Sequence, residues 1–322
     1  MKCKRCRKAT AAVELRSHNA AFCPECFFRF FRRQVEEGIR KQRLLSRGDR
    51  VLVCVSGGKD SLVLWNELLE LGYDAEGLYI SLGIPGYSER SKEKVVAFAE
   101  ARGKKAIVVD LAEEGVPIPE AARANKKHEC SVCGAVKRYF FNRVAAEGGF
   151  TAVATGHNLD DEAARLLGNA LHWQKSHLAR QHPLLPGSAA GLVRKVKPLW
   201  RLSELETASY AFLKGIDFVI EECPMSEDAT SILFKDALAL IEERMPGARM
   251  AFYAGFLDEG NPVRAAMAKA AAESGEYEPP RADGEEGESG GRGSCALCGA
   301  PTLSETCGYC RMKAKTTERK RA

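Results

Sequence analysis

From residue 51 onward the chain alternates short apolar runs with longer stretches whose apolar residues recur at helical spacing. The runs at 51–55 (VLVCV), 75–82 (AEGLYISL), 105–110 (KAIVVD) and 150–155 (FTAVAT) each predict a strand. Residues 60–71, 88–102, 131–147 and 159–172 predict helices, the first carrying Leu62, Val63, Leu64, Leu68 and Leu69. A further strand is expected near 216–221, and 225–273 reads as additional helices. Strands that are apolar at successive positions are buried on both faces, so the alternation predicts an α/β fold: a parallel sheet with helices on both faces. In such a sheet ligands bind beyond the carboxyl ends of the strands.

Two polar motifs fall at such ends. SGGKDS (56–61) follows the first strand, and GHNLDDEA (156–163) follows the strand at 150–155. Adjacent Gly57 and Gly58 let backbone approach a ligand, and a strand-to-helix turn aims N–H groups and the helix dipole at one spot, with the Ser56 and Ser61 hydroxyls beside it. Phosphate is the expected ligand. The spacing is not that of a Walker A loop, because Lys59 follows the glycine pair directly and Asp60 follows the lysine. The plainer alternative is a glycine turn in which Asp60 or Ser61 caps a helix.

Composition narrows the class. The 322 residues are 45% hydrophobic, enough for a full core and about two domains. No apolar run reaches the ~18 residues of a membrane span and the chain opens on MKCKRCRK, so a soluble, cytoplasmic protein without a membrane partner is expected. The net charge of +5 is unevenly spread: residues 1–50 carry about +9, 311–322 about +5 and the middle about −9. Basic ends suit a polyanion. Arg29, Arg32, Arg33, Arg40, Lys41 and Arg43 alternate with Phe27, Phe28, Phe30 and Phe31, which fits either a nucleic-acid face or an amphipathic helix packed on the core. The stretch 174–201 has no acidic residue and reads as a nucleic-acid-touching loop or a solvated lid.

Of twelve cysteines, ten form five C-x-x-C pairs, at 3/6, 23/26, 130/133, 295/298 and 307/310. Cys3, Cys6, Cys23 and Cys26 have zinc-site spacing, and Cys295, Cys298, Cys307 and Cys310 repeat the plan behind an acidic, Gly-rich stretch. Four thiolates leave no open coordination position, so both sets read as structural zinc sites. His18 reads as an ordinary surface histidine. Cys130 and Cys133 open a predicted helix, Cys223 ends a predicted strand, and Cys54 lies buried within the first strand. The spacing of the first three leaves open an iron–sulfur cluster, a redox dithiol, a zinc with three thiolates and a water, or a catalytic cysteine carrying a persulfide.

SGGKDS after a strand resembles the PP-loop of the ATP pyrophosphatases, and GHNLDDEA resembles their second motif. Together with the cysteines at 130, 133 and 223 and a zinc set at each end, the whole chain resembles the TtuA-type tRNA 2-thiouridine synthetases and their wobble-uridine relatives. The resemblance implies a Rossmann-like PP-loop fold flanked by N- and C-terminal zinc modules. Its expected parts are a zinc module at 1–27, a basic connecting helix at 28–49, a PP-loop catalytic domain at 50–223, a helical extension at 224–273, a flexible acidic linker at 274–294, and a zinc module with a basic tail at 295–322.

It also implies a tRNA-uridine 2-sulfurtransferase that splits ATP to AMP and pyrophosphate with Mg²⁺. Cys54, Val55, Ser56, Gly57, Gly58, Lys59, Asp60, Ser61, Tyr79, Ile80, Gly156, His157 and Asp160 would bind the nucleotide. Cys130, Cys133 and Cys223 would hold a [4Fe–4S] cluster whose open iron binds the sulfide to be transferred. Lys137, one turn after Cys133, would stabilise developing negative charge, and Asp161 would act as general base or orient a metal or the uracil N3. The plainer readings are a solvated lysine and a carboxylate complementing a helix dipole. The implied partners are tRNA and a ubiquitin-like sulfur carrier with a C-terminal thiocarboxylate, and a homodimer is expected.

The chain has only 7 Asn and 4 Gln, as thermophile proteins tend to, and a thiolated T-loop stiffens a tRNA elbow, so 5-methyluridine 54 is the expected target ahead of the wobble uridine. The alternatives are a 2-thiocytidine synthetase, a ligase that adenylates a small carboxylic acid, and a zinc-dependent RNA-binding adaptor with a vestigial nucleotide site. The first two leave the paired zinc sets unexplained, and the third leaves both intact motifs unexplained.

Overall fold

The structure, a computed structural model, describes residues 1–188, 191–225, 230–273 and 293–321. A hairpin of β1 (Val13–Leu15) and β2 (Ala20–Phe22) leads into helix α1 (Pro24–Lys41). There follow β3 (Arg50–Val55), α2 (Lys59–Glu70), β4 (Asp74–Ser81), α3 (Tyr87–Glu100) and β5 (Ala106–Asp110), close to the predicted spans. Helices α4 (Ile118–Asn125) and α5 (Glu129–Glu147) precede β6 (Ala152–Thr155) and α6 (Leu159–Leu171). Beyond them lie α7 (Lys175–Arg180), β7 (Leu184–Leu185), β8 (Arg194–Val196), α8 (Glu204–Leu213), α9 (Thr230–Arg244), α10 (Ala248–Leu257) and α11 (Pro262–Glu273). A short hairpin of β9 (Gly293–Ser294) and β10 (Pro301–Thr302) precedes α12 (Gly308–Arg321). Of the linker expected at 274–294, residues 274–292 lie outside the described residues.

Among the described residues, six strands form one sheet in the order β5-β4-β3-β6-β8-β7, parallel except for β7. Chain order reverses at β3, whose Val53 faces Gly77 of β4 on one side and Ala154 of β6 on the other. The crevice beyond the carboxyl ends of β3 and β6 is therefore the topological switch point, and both polar motifs open into it. Val51, Val53 and Val55 enter one core with Phe31 of α1, Leu62 of α2 and Ala163 of α6. Leu52 and Cys54 point the other way, into a second core with Val132, Val136 and Phe140 of α5. Burial on both faces is what continuously apolar strands require.

The phenylalanine–arginine helix resolves as a packed one. Phe27, Phe30 and Phe31 are buried, and full burial of such a ring stabilises by about 1.5–3 kcal/mol. Arg29 pairs with Glu25, Arg33 with Glu37, and Arg32 with Glu67 and Glu70. Arg40, Lys41 and Arg43 stay exposed.

The strand expected at 216–221 does not form. The place beside β6 is taken by β8, which comes with β7 from the acid-free stretch expected to be a loop or lid. Ile216 and Val219 are buried but Ile220 is 83% exposed, and the Val219 N–H donates to the Gly57 carbonyl at 2.9 Å. The segment crosses the end of the sheet, and Cys223 sits in irregular chain rather than at a strand end. Among the described residues no helix is long and apolar enough to cross a membrane.

Candidate nucleotide and metal site

The turn after β3 is tied by its own serines. The Ser56 N–H donates to Ser61 Oγ at 3.1 Å, and the Ser61 hydroxyl donates to the Gly58 carbonyl at 2.9 Å. Gly57 holds φ at +84°, a left-handed conformation that glycine adopts without strain. Gly156, at the head of the second motif, is needed for another reason: a Cβ there would lie 2.8 Å from the Ser61 nitrogen and 2.9 Å from the Asp60 carbonyl carbon. The two motifs thus touch backbone to backbone.

Carboxylates and cations knit around this contact. Asp60 accepts from Thr207, from Asn158 Nδ2 at 3.3 Å and from Lys59 Nζ at 3.3 Å; burial raises its pKa, with Lys59 and Thr207 opposing. Asn158 is fully buried and caps α6, its side chain accepting from the Asp161 N–H while Asp161 accepts from the Asn158 N–H, both at 3.1 Å. Asp161 also meets Lys235 at 2.5 Å, and Asp160 meets Arg249 and the Glu204 N–H. His157 is held neutral, its pKa pushed down to about 4 by burial and then by Lys197. Thr207, Glu204, Lys235 and Arg249 were not legible as site residues, since they lie outside both motifs on α8, α9 and α10.

Beside the PP-loop opens a cavity of about 320 Å³. Its wall includes Cys54, Val55, Ser56, Tyr79 and Ile80 from the ends of β3 and β4, Cys130, Cys133 and Lys137 from α5, and Cys223. The topology therefore brings the three unassigned cysteines together. The Cys130 thiol donates to the Met225 carbonyl at 3.3 Å, which ties the Cys223 segment to α5. Cys130 lies in the first turn of α5 and Cys133 just beyond it; burial and then the two neighbouring sulfurs push the Cys130 thiol up. Lys137 lines the same wall as Cys133, one turn on.

Two groups among the described residues bring four cysteine sulfurs within 4.8 Å of one another: Cys3, Cys6, Cys23 and Cys26, and Cys295, Cys298, Cys307 and Cys310. Burial acts to raise the Cys3 thiol, but backbone N–H groups outweigh it and bring it down to about 6; Cys307 and other backbone donors bring Cys295 to about 6. His18 is no ligand; it meets Glu206 at 3.0 Å and packs edge-on against Phe30. Tyr309 of the second module stacks on Tyr139 of α5, ring centroids 3.9 Å apart.

The model of the N-terminal LIM domain of the 2-thiouridine synthetase TtuA matches residues 2–28. Over 97% of its length the chain is 48% identical to the tRNA-5-methyluridine(54) 2-sulfurtransferase of Thermus thermophilus, covering 91% of that protein. The chain belongs to the tRNA-5-methyluridine(54) 2-sulfurtransferase family. The sulfurtransferase of Thermotoga maritima is 39% identical, with 99% of this chain and 98% of that protein aligned. Among solved structures, the U34-tRNA thiolase NcsA from Methanococcus maripaludis with its [4Fe-4S] cluster superposes with a TM-score of 0.71 at 26% identity, covering 80% of this chain and 86% of that one.

The donor sets of this sulfurtransferase-family chain suit two kinds of metal group. The terminal quartets have the tight spacing of a single closed ion. Cys130, Cys133 and Cys223 are not so close, but they share one cavity: three thiols spread around a space large enough for a polynuclear group, one coordination position short of closure.

Proposed function

We propose that the protein is an ATP-dependent tRNA-5-methyluridine(54) 2-sulfurtransferase. The observation that carries this is the single cavity joining the PP-loop strand ends to Cys130, Cys133, Cys223 and Lys137, in a chain 48% identical to an enzyme of that name. ATP enters beyond β3, with its phosphates on the turn of Gly57, Gly58, Asp60 and Ser61 and Mg²⁺ beside the Asp60 carboxylate. The uracil C2 oxygen is a poor leaving group; transfer of AMP to it, with loss of pyrophosphate, makes it a good one. Sulfur then takes its place and AMP departs.

Cys130, Cys133 and Cys223 would hold a [4Fe–4S] cluster, which when bound supplies an open iron for the sulfide. Lys137 offsets negative charge where the two half-reactions meet. Asp161 is the candidate base or orienting carboxylate, and its cap and Lys235 contacts fix where its oxygens point. Zinc in the terminal quartets would fix the two modules on α1 and α5.

The tRNA is expected on the basic ends, where Arg40, Lys41, Arg43 and Lys315 stay exposed. A thiocarboxylated ubiquitin-like protein is the sulfur source in this reading, the assembly is a homodimer, and the site of action is the cytoplasm. In this reading, modules at 1–27 and 295–322, joined by a basic helix at 28–49 and an acidic linker at 274–294, would flank a catalytic domain at 50–223 extended by 224–273. The likeness to NcsA favours a wobble-uridine reading, but its 26% identity stands against 48%.

The reading is tested by incubating protein and bulk tRNA with labelled ATP. AMP and pyrophosphate are expected; ADP and phosphate would refute the PP-loop assignment.

A further inference from the structure

Two lysines from distant parts of the chain converge on one carboxylate at the nucleotide site. Lys59 Nζ, from the PP-loop, lies 2.8 Å from Glu204 Oε1; Lys235 Nζ, from α9, lies 3.4 Å from Glu204 Oε2. Each ammonium has a second carboxylate in the motifs, Asp60 at 3.3 Å for Lys59 and Asp161 at 2.5 Å for Lys235. Glu204 opens α8, and its own N–H donates to Asp160 at 3.0 Å. Its side chain is 43% exposed, while Lys59 and Lys235 are 20% and 31% exposed.

A solvent-facing carboxylate gripped by two largely covered ammoniums adds little to folding, because ion pairs open to water are weak. Its geometry is more informative. Lys59 belongs to the phosphate-binding turn, so an anion between Lys59 and Lys235 occupies the ground where the outer phosphates of a nucleotide on that turn would lie.

We propose that Lys235 is a phosphate-binding residue of this site and that Glu204 stands in for the pyrophosphate portion of ATP when nucleotide is absent. This rests on the nucleotide reading given above. On binding, the β- and γ-phosphates take the position of the Glu204 carboxylate between the two ammoniums, and Glu204 turns to solvent. Lys235 keeps its contact with Asp161, so the helical extension reads the phosphates and the second motif at once. Glu204 competes with the ligand, and its loss is expected to strengthen binding.

The test is calorimetric titration of the full-length protein with inorganic pyrophosphate and, separately, with AMP, which lacks the outer phosphates. Lys235→Ala is expected to weaken pyrophosphate binding about tenfold, the loss of one charge-assisted hydrogen bond, and to leave AMP binding within about twofold. Lys235→Arg is expected to recover most of the loss. Glu204→Gln is expected to bind pyrophosphate about two- to fivefold more tightly, a gain that misfolding cannot produce. Unchanged pyrophosphate affinity in Lys235→Ala, an equal loss for AMP, or no gain in Glu204→Gln overturns the proposal while wild-type binding leaves the nucleotide reading standing. A wild-type protein that binds neither ATP nor pyrophosphate overturns both.

Discussion

Gly156 offers a direct test of how the two motifs are built against each other. A methyl group there would sit 2.8 Å from the Ser61 nitrogen and 2.9 Å from both the Asp60 carbonyl carbon and the Ser61 Cα. All three atoms are backbone of the PP-loop and cannot rotate away, so the loop or the second motif must shift by several tenths of an ångström. Overpacking of this kind costs about 1–3 kcal/mol. In a chain of 322 residues Gly156→Ala should lower the thermal midpoint by about 1.5–4.5 °C, at about 1.5 °C per kcal/mol. Because the displaced backbone is the turn proposed to hold the phosphates, ATP affinity should fall as well. Gly72→Ala is the control: Gly72 has φ +79° and a methyl group there would meet nothing within 4 Å, so only backbone strain of about 1–2 kcal/mol is added, far from the site. Scanning calorimetry with and without ATP separates the two. A Gly156→Ala protein with wild-type midpoint and ATP affinity would refute the close-contact argument.

Other consequences are as specific. Lys197 meets the fully buried Glu162 at 2.7 Å, so Lys197→Met should cost about 3–5 kcal/mol in urea unfolding and Glu162→Gln in the same chain should recover part of it; a loss below about 1 kcal/mol would contradict this. His157 and His182 are pushed down to about 4, chiefly by burial, below the ordinary imidazole range. Folded pKa values below the unfolded ones give stability that is complete above about pH 6.5 and is lost as pH falls toward 4, and His157→Gln should flatten part of that slope in thermal unfolding. Cys223→Ser should lower iron and leave zinc unchanged in anaerobically prepared protein, whereas Cys3→Ser should remove one zinc of two; iron content indifferent to Cys223 would remove it from the ligand set.

The core of the fold was legible because β3 to β6 carry apolar residues on both faces, a pattern few other environments tolerate. Both motifs fell at strand ends for the same reason. The stretch 216–221 misled because IDFVIE is apolar enough for a strand, while its backbone bonding goes to Gly57 instead of a neighbouring strand. Conversely β8 was hidden in a basic run, since Lys197 and Arg194 carry charges neutralised by Glu162 and Asp49 from afar. The pairing of Arg32 of α1 with Glu67 and Glu70 was equally invisible, being more than thirty residues distant along the chain. Cys130, Cys133 and Cys223 stood out by elimination, but that they share a wall with Cys54 and Ser56 is a fact of topology alone. Lys235 and Arg249 reach the site from helices with no motif of their own.

The central claim is tested most directly on the product. Protein, ATP, Mg²⁺, a sulfide source and tRNA bearing 5-methyluridine are combined anaerobically, and the tRNA is cut into fragments for nucleoside mass spectrometry. The account predicts one sulfur in the T-loop fragment, as 2-thio-5-methyluridine, with one AMP released for each sulfur gained. Sulfur confined to the anticodon fragment, or AMP release with no thiolated nucleoside in any fragment, would contradict it.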